Sequence, residues 1–93
     1  MRKERENMTI QHLDQAARFA PIVERVHGAH HPELTRVREL TESLQKAGDR
    51  AGAAELFAEL RRVTKNYTVP ADACEAFTAT YASLRRADQA YAS

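Results

Sequence analysis

From Ala53 to Tyr81 the chain reads AAELFAELRRVTKNYTVPADACEAFTATY, two apolar stripes separated by a polar turn that closes on a proline. Ala53, Leu56, Leu60, Val63 and Tyr67 recur at three- and four-residue spacing, and so do Ala73 or Cys74, Phe77, Tyr81, Leu84 and Tyr91 beyond Pro70. That spacing puts side chains on one face of a helix. The stretch therefore predicts two amphipathic helices folded back on each other as an αα-hairpin. The first spans about Arg50 to Asn66. Pro70 opens the second, with Asp72 in its first turn. Almost nothing polar points inward from this hairpin, so any chemistry must draw on the histidines earlier in the chain.

Taken in order, residues 1–8 (MRKERENM) are almost all polar or charged and read as a flexible, frayed tail or as the exposed start of a helix, with Met8 an alternative start. Residues 9–93 form one helical domain. Its first helix runs from Thr9, the expected N-cap, to Val26 or His27. Leu13, Ala17, Ala20, Val23 and His27 lie on its buried face. Pro21 removes a hydrogen bond there and crowds the Ala17 carbonyl, which predicts a kink or a break. Gly28 reads as the stop. A second helix follows over about Pro32 to Lys46, buried through Leu34, Val37, Leu40, Thr41 and Leu44. Gly48 closes it, and Asp49 caps the next. The expectation is an all-α fold, a small antiparallel up-down four-helix bundle. Three long helices with a partly disordered first segment is the other arrangement the pattern allows.

With 93 residues the chain suits a single domain, and one so small buries a modest core that a second subunit would help to stabilise. The net charge is +1 with both signs interspersed, which does not favour a nucleic-acid partner. Arg61, Arg62, Lys65, Arg85 and Arg86 read as solvated helix surface. One cysteine, Cys74, cannot form an internal disulfide and fits a reducing, cytoplasmic setting. No apolar run has the length of a membrane span, and no signal peptide is visible. Cys74 itself reads as a buried, inert core thiol. Tyr67, Tyr81 and Tyr91 read as buried rings with hydroxyls at the rim.

The metal-capable side chains gather in His27-Gly28-Ala29-His30-His31, with Glu24 one turn earlier. On a continuous helix Glu24 and His31 would flank His27 at three and four residues, a chelating arrangement. Gly28 and Pro32 oppose that continuity. His27 is then the inward candidate, while His30 and His31 fall in a wet turn. The competing view makes His27 a partly buried helix-end histidine and the other two merely polar. His12 is roughly 22 Å from His27 along a helix, too far for one intrachain site.

Two segments, VERVHGAHHPEL (Val23–Leu34) and ELRRVTKNYTVPADACEAFTATY (Glu59–Tyr81), resemble the hemerythrin-like domain of the iron–sulfur cluster repair di-iron proteins. The resemblance rests on Val26-His27, on Thr64-x-Asn66-x-Thr68-x-Pro70, and on Ala73-Cys74 ahead of an aromatic residue and Tyr81. It implies a four-helix bundle and a role in mending iron–sulfur centres. In that family, histidines and carboxylates hold two oxo-bridged irons. By that resemblance His27 matches an iron ligand. The first-helix histidine would fall near Glu6, and Ala47-Gly48-Asp49 stands where the family has Glu-His-Asp. The late second-helix pair has no counterpart, and the last-helix pair would fall beyond Ser93.

Two functions follow as expectations. The first is a non-catalytic, degenerate hemerythrin-like bundle that carries no cofactor and acts through self-association, as a homo-oligomer, or through a protein partner. The second is an iron- or zinc-binding protein of the repair and stress-response kind, with a reduced metal site of His27, Glu24, His30 and His31.

Overall fold

In the computed structural model, residues 2–47 and 50–92 are described, with side chains from Asn7 onward except at Arg50. Among them are four α-helices and no strand: α1 (Arg2–His27), α2 (Glu33–Lys46), α3 (Arg50–Val63) and α4 (Glu75–Ala92). The molecule measures 39 × 21 × 19 Å. Its long axis matches α1, whose 26 residues rise about 39 Å at 1.5 Å each. α1 packs most extensively on α4 and then on α2, and α2 packs on α3. Gln45–Asp14 and Arg38–Glu24 pair rising numbers on α1 with falling numbers on α2, so these two are antiparallel. Together the helices form a compact four-helix bundle.

The core follows the apolar stripes. Leu34, Val37, Leu40, Thr41 and Leu44 are all buried on α2, as the spacing predicts. Phe57 and Leu60 on α3 and Phe77, Tyr81 and Leu84 on α4 complete the large residues at its centre. A second stripe on α4 is made of small residues. Thr80, Ser83 and Ala87 are fully buried or nearly so, and Ala76 is half-buried beside them. α4 packs most extensively on α1, which carries buried small residues of its own, Ala16 and Ala20.

Several boundaries differ from expectation. α1 runs unbroken through Pro21 and back to Arg2, so Thr9 is an interior residue rather than a cap, and of the two readings of the first eight residues the helical one holds from Arg2. Pro21 faces solvent, while Ala16, Ala20 and Val23 around it are buried. Packing on both sides of the proline offsets one lost hydrogen bond. Gly28 follows the last helical residue, and its N–H bonds the Glu24 carbonyl at 2.8 Å. A Cβ on Gly28 would collide with that same carbonyl, which accounts for glycine at the stop. Ala47 is the C-cap of α2. Gly48 and Asp49, expected to close α2 and cap α3, lie outside the described residues.

The hairpin is looser than its stripes suggest. Phe57 meets Tyr91 with ring centroids 5.1 Å apart, and Arg61 bonds Asp88 at 2.8 Å. Both contacts fall in the last turns of α4, and its backbone lies beside α1 rather than α3. α3 stops at Val63, before the expected Asn66, and α4 begins at Glu75 rather than Pro70. Asp88 is 13 residues beyond Glu75, roughly 20 Å along the helix. The connection 64–74 must therefore run back along α4.

Candidate functional site at the His27–His31 turn

The turn after α1 and the end of the 64–74 connection meet at one end of the bundle. His31 Nε2 lies 3.0 Å from both carboxylate oxygens of Asp72, and its Nδ1 lies 3.3 Å from Glu33. The rings of His27 and His31 both stand edge-on to Phe77, at centroid distances of 5.3 and 5.5 Å. Phe77 in turn meets Tyr81 at 5.0 Å. One fully buried phenylalanine thus seats both histidines. A long-range carboxylate, Asp72, joins the two loops.

Each expected metal ligand can now be placed. Glu24 accepts from Arg38 Nε at 2.6 Å, and its carboxyl is held below the usual range by hydrogen bonds from Thr35 and then Arg38. His30 is exposed in the turn. His31 is occupied by Asp72 and Glu33. His27 is half-buried, and its Nε2 is buried with no hydrogen-bond partner among the described residues. Among the described residues, no group of three or more His, Cys, Asp or Glu side chains is arranged to hold a metal ion. The four candidates are neighbours in sequence, but the fold spends two of them on ion pairs.

Cys74 is exposed rather than buried. It precedes α4, and its Sγ accepts the Phe77 N–H at 3.5 Å in the position of an N-cap. Helical periodicity does not reach a residue outside the helix, so the stripe placed it wrongly. Tyr67 also departs from expectation. Its hydroxyl is not at a rim but donates to Asp88 at 2.7 Å inside the protein. Burial, and then that bond, push the phenol well above its ordinary range. Burial likewise raises the Tyr81 phenol to about 12. Two of the arginines read as solvated surface are structural: Arg61 bonds both oxygens of Asp88 at 2.8 Å, and Arg85 bonds the Asn66 carbonyl at 3.0 Å.

The His31–Asp72 clasp has a definite pH signature. Hydrogen bonding to Asp72 raises His31 above its ordinary 6.5, with the charges of Asp72 and Glu33 adding to it. The same bond lowers Asp72 below 3.8. A raised histidine contributes its full stabilisation below about pH 6.5 and loses it as pH climbs through the raised value. A lowered carboxylate contributes above about pH 4 and loses its part as pH falls through the lowered value. The melting-temperature deficit of His31→Gln relative to wild type should therefore be largest near pH 5–6 and shrink towards about pH 9. A deficit that stays flat over that range would show that the clasp is not charge-assisted.

Comparison of the chain with models of protein families, with characterised proteins and with solved structures gives no match. No helix among the described residues is long and apolar enough to cross a membrane. The fold and its contacts define the class as an all-α four-helix bundle, and function must be argued from its surface and its histidine end.

Proposed function

We propose that the chain is a degenerate hemerythrin-like helical module, related to the iron–sulfur cluster repair di-iron proteins, which performs no catalysis and acts by self-association or by engaging a protein partner. The observation behind this reading is an uncovered apolar flank on α1. Met8, Ile22 and Val26 are 51%, 44% and 64% exposed. At 100° per residue they fall, with half-buried Phe19, within about 60° of one another. Exposed Gln15 separates Met8 from the rest, so the grouped part is Phe19, Ile22 and Val26, and exposed apolar residues that cluster are a feature of contact surfaces. The pairing of Glu24 with Arg38 and of His31 with Asp72 supports a structural use of the old ligand segment. The lone Cys74 suits a cytoplasmic setting.

Sedimentation over a wide concentration range tests this directly. Wild type should gain mass with concentration, and Ile22→Asp/Val26→Asp should remain a single chain with the same melting temperature. Both positions are exposed, so the double substitution leaves the core intact. A single-chain mass for wild type throughout would remove self-association and leave only the partner-binding form of the proposal.

One observation favours a second reading, an iron or zinc site centred on His27. Its buried, unpartnered Nε2 is an available ligand nitrogen. Glu24 and His31 would join it only by leaving Arg38 and Asp72. Elemental analysis of untagged protein beside His27→Ala separates the two readings. Stoichiometric metal that disappears in the variant supports the second, and metal-free protein whose stability is unmoved by added Fe(II) or Zn(II) dismisses it.

A further inference from the structure

Among the described residues, the non-glycine residues with positive φ are consecutive: Lys65 at 53°, Asn66 at 59° and Tyr67 at 62°. Left-handed backbone brings Cβ against the following carbonyl, and asparagine alone of these three tolerates it well. A run of three persists only where the surroundings hold it. Here the holding is polar and local. Tyr67 N–H donates to Thr64 Oγ1 at 2.8 Å, and Asn66 N–H to the Arg61 carbonyl at 2.7 Å. The Tyr67 hydroxyl donates to Asp88, which also takes both bonds from Arg61. Arg85 reaches the Asn66 carbonyl at 3.0 Å. The far end is fastened by Asp72 to His31 at 3.0 Å. Between these anchors Thr68, Val69 and Ala71 are exposed, and no helix forms until Glu75.

We propose that residues 64–74 form a strap that opens as a unit, with Tyr67–Asp88 as its latch, and that opening uncovers the His27–Phe77 end of the bundle while α1, α2 and α4 stay packed. Three features carry this. The strap is held by polar anchors at its two ends, and its buried side chains, Thr64 and Tyr67, both lie at the latch end, with none beyond Tyr67. Its left-handed run favours departure once the latch is broken. Its outer end places Asp72 on His31, whose ring shares Phe77 with His27, so release of the strap frees the turn that carries both histidines from its long-range tie to Asp72.

Hydrogen exchange followed by mass spectrometry on the full chain tests the proposal. In wild type, amides of 65–74 should exchange faster than those of Val37–Leu44 and Tyr81–Leu84. In Tyr67→Phe the strap amides should accelerate tenfold or more while the core amides change by a much smaller factor. Asn66→Gly, which removes a Cβ from the left-handed run and keeps the latch, should slow strap exchange severalfold. Carbethoxylation of His27 should speed up in Tyr67→Phe, with exposed His30 unchanged as the internal control. Equal acceleration of strap and core, strap amides as slow as the core in wild type, unchanged exchange in Asn66→Gly, or an unaltered His27 rate would each overturn the proposal.

Discussion

Phe77→Ala should cost about 3–5 kcal/mol, a large part of what a domain of this size possesses. Phe77 is completely buried, and its ring is the common partner of His27, His31 and Tyr81. Alanine leaves a cavity that two imidazoles and a phenol border in part. Rigid rings collapse poorly into such a space, so the penalty should not fall below that range. Urea unfolding monitored by circular dichroism supplies the number. The ring protons of His27 and His31 should also lose the shift that an edge-on phenyl imposes. A loss below about 1 kcal/mol would mean that Phe77 does not organise this end of the bundle.

Ala87→Leu should be a damaging enlargement, because its small side chain is fully buried on α4, the helix that packs most extensively on α1. Overpacking an established core costs about 1–3 kcal/mol when neighbours can adjust. α1 presents buried Ala16 and Ala20, side chains that have no rotamers to move. The helices must separate, and Leu13 and Val23 then lose part of their burial. The effect should reach or exceed the upper figure. Ala58→Leu, at an exposed position on α3, should stay within about 0.5 kcal/mol of wild type. Comparable melting temperatures for the two variants would refute close packing of α1 on α4.

Much of the fold was legible because it depends on periodicity. The α2 stripe Leu34, Val37, Leu40, Thr41 and Leu44 is buried residue for residue, and Gly28 ends α1 where the pattern stops. Pro21 misled because a local rule met a tertiary one. A proline on the solvent side of a helix loses one hydrogen bond and crowds one carbonyl, a cost that packing of the other face outweighs without a break. Cys74 misled because it stands just outside α4, where spacing no longer determines direction. The histidine end was only half legible. Its residues are adjacent in sequence, but His31 finds its partner in Asp72, 41 residues away. Spacing carries no record of a pairing at that range.

What the sequence determined alone is the class: four amphipathic helices whose apolar periodicity leaves an all-α bundle as the way to bury them. That inference needs only 3.6 residues per turn and the aversion of apolar groups to water. The tertiary structure decided which helices lie closest and what the polar residues do. It set α4 against α1 rather than α3, since the small stripe Ala76, Thr80, Ser83 and Ala87 admits a backbone that the large stripe does not. It also gave Asp88 to Tyr67 and Arg61, and Asp72 to His31. Hydrogen bonds and ion pairs depend on distance and direction in space, and those quantities exist only once the chain has folded.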